Sequence, residues 1–114
     1  EGKDLEVLID MGSLMNLKSV EISFLQNQGS WIFFPLNVEF SFSKDGTNFQ
    51  HQKQINNGLA MSYAHEIKSF RIDLSMVDQI QYIKTKVKNV SVCPEWHPGS
   101  GGKAWVFADE VVVR

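Results

Sequence analysis

A chain of 114 residues that is 43% hydrophobic and 21% charged holds one domain with a hydrophobic core of its own. Its net charge of −2 provides no basic field, which argues against nucleic acid or an anionic membrane as a partner. No apolar run reaches membrane-spanning length, and the single cysteine, Cys93, excludes an intrachain disulfide.

The dominant hydrophobic period is two. Leu5, Val7 and Ile9 alternate with Glu6, Leu8 and Asp10, predicting a strand that Gly12 ends. Val20, Ile22 and Phe24 predict a second strand, and Leu36, Val38, Phe40 and Phe42 a third. Lys44-Asp45-Gly46 reads as a hairpin turn, since Asp-Gly supplies positive φ, with Phe49 returning to the core. From Gln50 to Ala64 the alternation is lost, which predicts a polar connection carrying His51, with His51 and His65 as solvated surface histidines. Phe70, Ile72 and Leu74 resume the pattern, and Ser75 to Gln79 reads as a turn or a single helical turn. Ile83, Thr85 and Val87 alternate with three lysines, giving one apolar and one basic face. Ala104 to Val113 is apolar on both faces except at Asp109 and Glu110, which predicts a strand covered on both sides. Short strands, turn signals and no amphipathic helix indicate an all-β fold, an antiparallel β-sandwich. The chain alternates from Leu5 and stops within Val111-Val112-Val113, so residues 1–114 read as one domain cut from a longer polypeptide.

The stretch Cys93 to Glu110, CPEWHPGSGGKAWVFADE, places Trp96, His97, Lys103 and Trp105 on or beside a glycine- and proline-rich loop. A second cluster, Gly29 to Pro35, holds Trp31, Ile32, Phe33 and Phe34, which cannot all face one core. Aromatics from two loops suit a sugar platform, where a ring packs on the C–H face of a pyranose. His97, Lys103, Gln26, Asn27 and Gln28 are available to bond hydroxyls. The same aromatics could instead seal one end of the sandwich. Gly99 to Lys103 fails as a phosphate loop, because Ala104 follows the lysine and a strand follows in place of a helix. Cys93 and His97 lack the further ligands a zinc site needs and the orienting group a nucleophile needs. Asp109 and Glu110 sit in apolar surroundings. Being adjacent they point to opposite faces, and a carboxylate on a covered face calls for a cation such as Arg71, for hydrogen bonds, or for calcium with loop carbonyls completing the shell. Asn89-Val90-Ser91 spells a glycosylation sequon.

The segments GKDLEVLIDMGSL, VEISFLQNQGSWIFFPLNVEFSFSKDGTNF, IQYIKTKVKNV and CPEWHPGSGGKAWVFADEVVV resemble the coagulation-factor 5/8 type C (discoidin-like) domains. More narrowly, the chain resembles the copy attached to family-20 β-N-acetylhexosaminidases, or chitobiases, of gut-type Bacteroidetes, with WHPGSGGKAW followed by ADE as the most specific part. The resemblance implies a galactose-binding-like jelly roll of eight strands and a non-catalytic module beside a glycosidase, periplasmic or extracellular. It also implies a calcium ion near the last strand, with Glu110 of Glu110-Val111-Val112-Val113 as a ligand. The chain lacks the family's upstream segment with its own Asp-Gly turn, and Gln81 stands where many relatives carry Arg. Its loops also differ from the His/Arg/Asn set of galactose-binding members.

The expected function is carbohydrate binding through Trp31, Trp96, His97, Lys103 and Trp105, to glycans containing N-acetylhexosamine or galactose, by a monomer tethered to a catalytic domain. The alternative is a structural module whose aromatic loops pack on the catalytic domain of the same polypeptide. A lipid-binding discoidin module fits less well, because the charge balance is acidic.

Overall fold

The computed structural model describes residues 2–58, 64–74 and 79–114, without the side chains of His51 and Gln52. The expected turn over 75–79 and the reading of His51 as a surface histidine fall largely outside these residues. Among them stand seven strands: β1 (Leu5–Met15), β2 (Ser19–Gln26), β3 (Asn37–Ser43), β4 (Gln50–Asn56), β5 (Glu66–Asp73), β6 (Ile80–Lys88) and β7 (Phe107–Val113). They form two antiparallel sheets, ordered β1-β6-β3-β4 and β5-β2-β7. The fold is the predicted antiparallel β-sandwich.

Period-two alternation builds the core. Val20, Ile22 and Phe24 point inward from β2, Val38, Phe40 and Phe42 from β3, and Ile83 and Val87 from β6, each at most 1% exposed. Burying each of the larger side chains contributes roughly 1.5–3 kcal/mol of transfer free energy. Phe70 and Ile72 of β5 close the same cluster.

Four elements depart from the sequence reading. Gly12 does not end β1; it adopts φ +81° inside it, where the register with β6 shifts between Asp10 and Met15. Asp10 accepts hydrogen bonds from Gln81 Nε2 (3.0 Å) and the Gly12 N–H (2.8 Å), which hold its carboxyl below the usual range. Gln81 thus makes a neutral contact where an arginine would make an ion pair. The supposed connection after Gln50 is strand β4, an edge strand on which Ile55 packs against the core. Its polar sequence, QHQKQIN, suits an edge and hides the alternation. Phe49 stays outside the core cluster, half-buried, with the Lys84 ammonium 4.2 Å from its ring centroid.

The fourth departure is β7. It is an edge strand paired only with β2 among the described residues, and Phe107 through Glu110 are exposed. Its apolar residues reflect position rather than double cover. Val111 and Val113 lie beside Ile22 and Val20 on the inner side, while Phe107 lies beside Leu25 on the outer side.

The register sorts the connections into two ends. Residues 27–36, 57–58, 64–65 and 89–106 lie at one end, and residues 16–18, 44–49, 74 and 79 at the other. Both aromatic loops are therefore neighbours.

Candidate functional site

The first aromatic loop begins where β2 ends. The Asn27 side chain accepts from the Ser30 N–H, capping a one-turn 3-10 helix over Gln28–Ser30. Trp31 follows in the left-handed region at φ 65°, which turns the chain so that Ile32 and Phe33 bury while Trp31 stays 39% exposed. The second loop folds on itself as a small hairpin. Cys93 N–H donates to the Gly102 carbonyl, Ala104 N–H to Ser91, and Gly101 N–H to Cys93. A parallel bridge then joins the loops, since Trp105 N–H donates to the Trp31 carbonyl (2.8 Å) and Phe33 N–H to the Trp105 carbonyl (3.0 Å).

His97 pins this arrangement. It is 6% exposed, its Nδ1 accepts from the Gly99 N–H (2.9 Å), and its Nε2 meets the Gln28 carbonyl (2.5 Å). The partners assign a neutral ring with its proton on Nε2. Both nitrogens are used by main chain, so His97 holds the loops and has no free atom for a ligand. The same contacts remove it as a base for Cys93. That thiol is buried beside Phe33 and Ala104, and burial pushes its pKa up, so it packs as a small apolar group.

The rings gather around His97. Trp31 and Trp96 both meet it edge-to-face at centroid distances of 6.3 Å, and Phe33 beneath lies 5.4 Å from it and 6.4 Å from Trp96. Trp31 rests against Gly99 and Gly102. A Cβ on either glycine would stand 2.6 or 2.5 Å from its ring atoms, which is why these two positions take no side chain. Trp96 is 41% exposed, and Trp105 is 37% exposed and tilted against Phe107 at 5.7 Å. Lys103 is exposed at the hairpin, its stem beside Gly2.

The structure thus brings Trp31, Trp96, His97, Lys103 and Trp105 to one end and divides their roles. Gln26 and Gln28 are buried, with Gln28 Nε2 donating to Gln26 Oε1 and Gln26 Nε2 bonded to Ala64 and Glu66, so they support the loop from within. Asn89 is 1% exposed and its amide nitrogen donates to the carbonyls of Lys3 and Ala104, which withdraws the sequon from modification. His65 is exposed, as expected.

Glu110 is placed differently from the expectation. It stands on the exposed edge strand opposite Ser23, and Asp109 occupies a register irregularity between Ser23 and Phe24. Neither is buried, so neither requires a cation, and Arg71 pairs instead with Asp73 at 3.5 Å. Among the described residues no group of three or more His, Cys, Asp or Glu is positioned to hold a metal ion.

Sequence reasoning missed Phe33 as the floor of the cluster and Gly99 and Gly102 as the seat of Trp31. The signal was available only as Gly-x-x-Gly after Trp-His-Pro. A separate depression of about 320 Å³ lies on the outer face of the four-stranded sheet, lined chiefly by Asp4, Glu6, Asn37, Glu39, Lys86 and Lys88. It carries charge of both signs and no ring to stack on. No protein-family model matches the chain, and no curated protein matches its sequence.

Proposed function

We propose that this chain is a non-catalytic carbohydrate-binding module, accessory to a secreted glycosidase of the β-N-acetylhexosaminidase or chitobiase type. The observation that carries the reading is the grouping of Trp31, Trp96 and Trp105, each 37–41% exposed, at one end of a rigid sandwich. Half-exposed indoles held by a packed floor offer apolar faces at little entropic cost, and sugar C–H faces complement them. Lys103 stands beside them as a hydrogen-bond donor, and His97 fixes the platform without touching the ligand. The resemblance of WHPGSGGKAW to hexosaminidase-attached modules supplies the glycan class, N-acetylhexosamine or galactose. Such a shallow site binds weakly and depends on tethering for avidity.

The test is a titration of the three indole N–H signals with N-acetylglucosamine, N-acetylgalactosamine, galactose and chitobiose. Saturable movement of Trp96 with one sugar is expected, and Trp96→Ala should abolish it while costing stability only about 1 kcal/mol. A folded Trp96→Ala variant with unchanged glycan affinity would remove the assignment. One observation favours the alternative of a structural module: Ile67, Leu25 and Phe107 align across the outer face of the three-stranded sheet as an apolar row, with Ile67 58% exposed. Indole signals that stay fixed at millimolar sugar would shift the balance to that reading.

A further inference from the structure

Among the described residues the four sheet edges are not alike. β5 carries Glu66, Lys68, Arg71 and Asp73, β4 carries glutamines and Lys53, and β1 is interrupted at Gly12. These are the usual guards against edge pairing. β7, Phe107-Ala-Asp-Glu-Val-Val-Val113, carries such guards only in its first half, at Asp109, Glu110 and the register irregularity beside them, and ends in three β-branched residues with no proline and no lysine.

Its hydrogen-bonding phase is defined. Arg114 exchanges two main-chain hydrogen bonds with Ser19, so alternation directs the Val112 groups to β2 and those of Val111 and Val113 away from the sheet. Side-chain direction is defined too. Glu110, Val112 and Arg114 share the outer face with Ser23, Glu21 and Ser19, while Val111 and Val113 share the inner face with Ile22 and Val20.

From this edge we propose that two copies of the chain associate through β7, antiparallel about a two-fold axis at Val112, fusing the three-stranded sheets into one six-stranded sheet. In that register Val111 pairs with Val113 of the second copy, twice, using the main-chain groups that point outward. Glu110 falls opposite Arg114 of the second copy, also twice, in the closer, non-hydrogen-bonded type of pair. Inner faces meet inner faces throughout. Sliding by two residues either way keeps the phase but separates Glu110 from Arg114, so charge selects the register. Arg114 already reaches Glu21 at 3.6 Å while its side chain remains 58% exposed, and its fork has donors for a second carboxylate. The two-fold sends the aromatic ends of the copies to opposite poles. The proposal departs from the expected monomer and is independent of the glycan reading.

Sedimentation equilibrium of the 114-residue chain from micromolar to millimolar concentration is the test. A monomer–dimer equilibrium is expected, with the Val111 and Val113 amides protected from exchange in the dimer. Glu110→Arg and Arg114→Glu each set like charges opposite one another twice and should raise Kd about tenfold. The doubly exchanged E110R/R114E chain should return to the original Kd. A chain that stays monomeric at millimolar concentration overturns the proposal. So does a dimer whose Kd ignores both single exchanges, which would place the contact elsewhere, such as the aromatic end.

Discussion

The 44–49 turn and the aromatic loops, at opposite ends of the sandwich, are built on opposite plans. At the end holding residues 44–49, Asp45 Oδ1 accepts from the N–H groups of Thr47 (2.8 Å) and Asn48 (2.9 Å), and Ser43 Oγ donates to it (2.9 Å). Gly46 supplies φ +81° in the same turn. Each of those hydrogen bonds spans two or three residues. At the aromatic end, His97 reaches Gln28 across 69 residues and Asn89 reaches Lys3 across 86. Both loops hold glycine and polar residues, yet the 44–49 turn stands on local chemistry and the aromatic loops on the completed fold. A locally built turn forms wherever its few residues occur. A loop pinned from a distance can hold large rings half in solvent, which is what a binding surface requires.

On that contrast, His97→Ala is the most damaging of three changes. It removes both imidazole hydrogen bonds and leaves the part-buried Gly99 N–H without this acceptor, at about 1–3 kcal/mol. It also opens a cavity among Trp31, Phe33 and Trp96, while the Gln28 carbonyl keeps the Trp31 N–H. We expect a loss of roughly 2–4 kcal/mol in urea unfolding, together with displacement of the Trp31 and Trp96 indole signals. A change below about 0.5 kcal/mol, the range of ordinary surface substitutions, would mean that the loops do not depend on the latch.

The same contrast explains what the sequence made legible. Alternation is local, so the strands built on Val20-Ile22-Phe24 and Val38-Phe40-Phe42 could be read directly, and with them the sandwich. The Asp45-Gly46 turn was equally plain, because its partners lie in the same six letters. Strand β4 was not legible: its pairing partner β3 stabilises it, and its own residues are almost all polar. For β7 the apolar letters were read correctly, but cover was inferred where there is an open edge, since a single sequence does not record which strand lies outermost. At the site, the clustering of Trp31, Trp96 and Trp105 was legible from loop composition. The diversion of His97 from ligand to latch was not, because it depends on a carbonyl 69 positions away.

Gly102→Ala probes the aromatic end more gently. The new Cβ would stand 2.5 Å from Trp31 Cζ3 and 3.0 Å from the Gly99 carbonyl oxygen. Trp31 can swing outward, because it is already part-exposed, so the expected cost is only about 1 kcal/mol. The indole should nonetheless leave its seat, visible as a red shift in tryptophan emission and a weaker glycan response. An unshifted spectrum would show that Trp31 does not rest on the glycines.

Asp45→Asn should have the smallest effect and the clearest pH signature. Main-chain hydrogen bonds from Asn48 and then Thr47, followed by the Ser43 hydroxyl, hold the Asp45 carboxyl well below the usual carboxylate range. A depressed pKa in the folded state means that the carboxylate stabilises the fold in full above its unfolded pKa, near 4. The contribution is lost as pH falls through the folded value. Asparagine keeps the side-chain oxygen and drops the charge. The variant should therefore melt below the parent at neutral pH, and the gap should narrow steadily as the solution is acidified. The aromatic end, held by His97 and Asn89 at the opposite pole from this turn, should keep its indole signals unchanged in the variant. Movement of those signals would mean that the two ends are coupled through β3 and β6, and that the turn is less self-contained than its hydrogen bonds indicate.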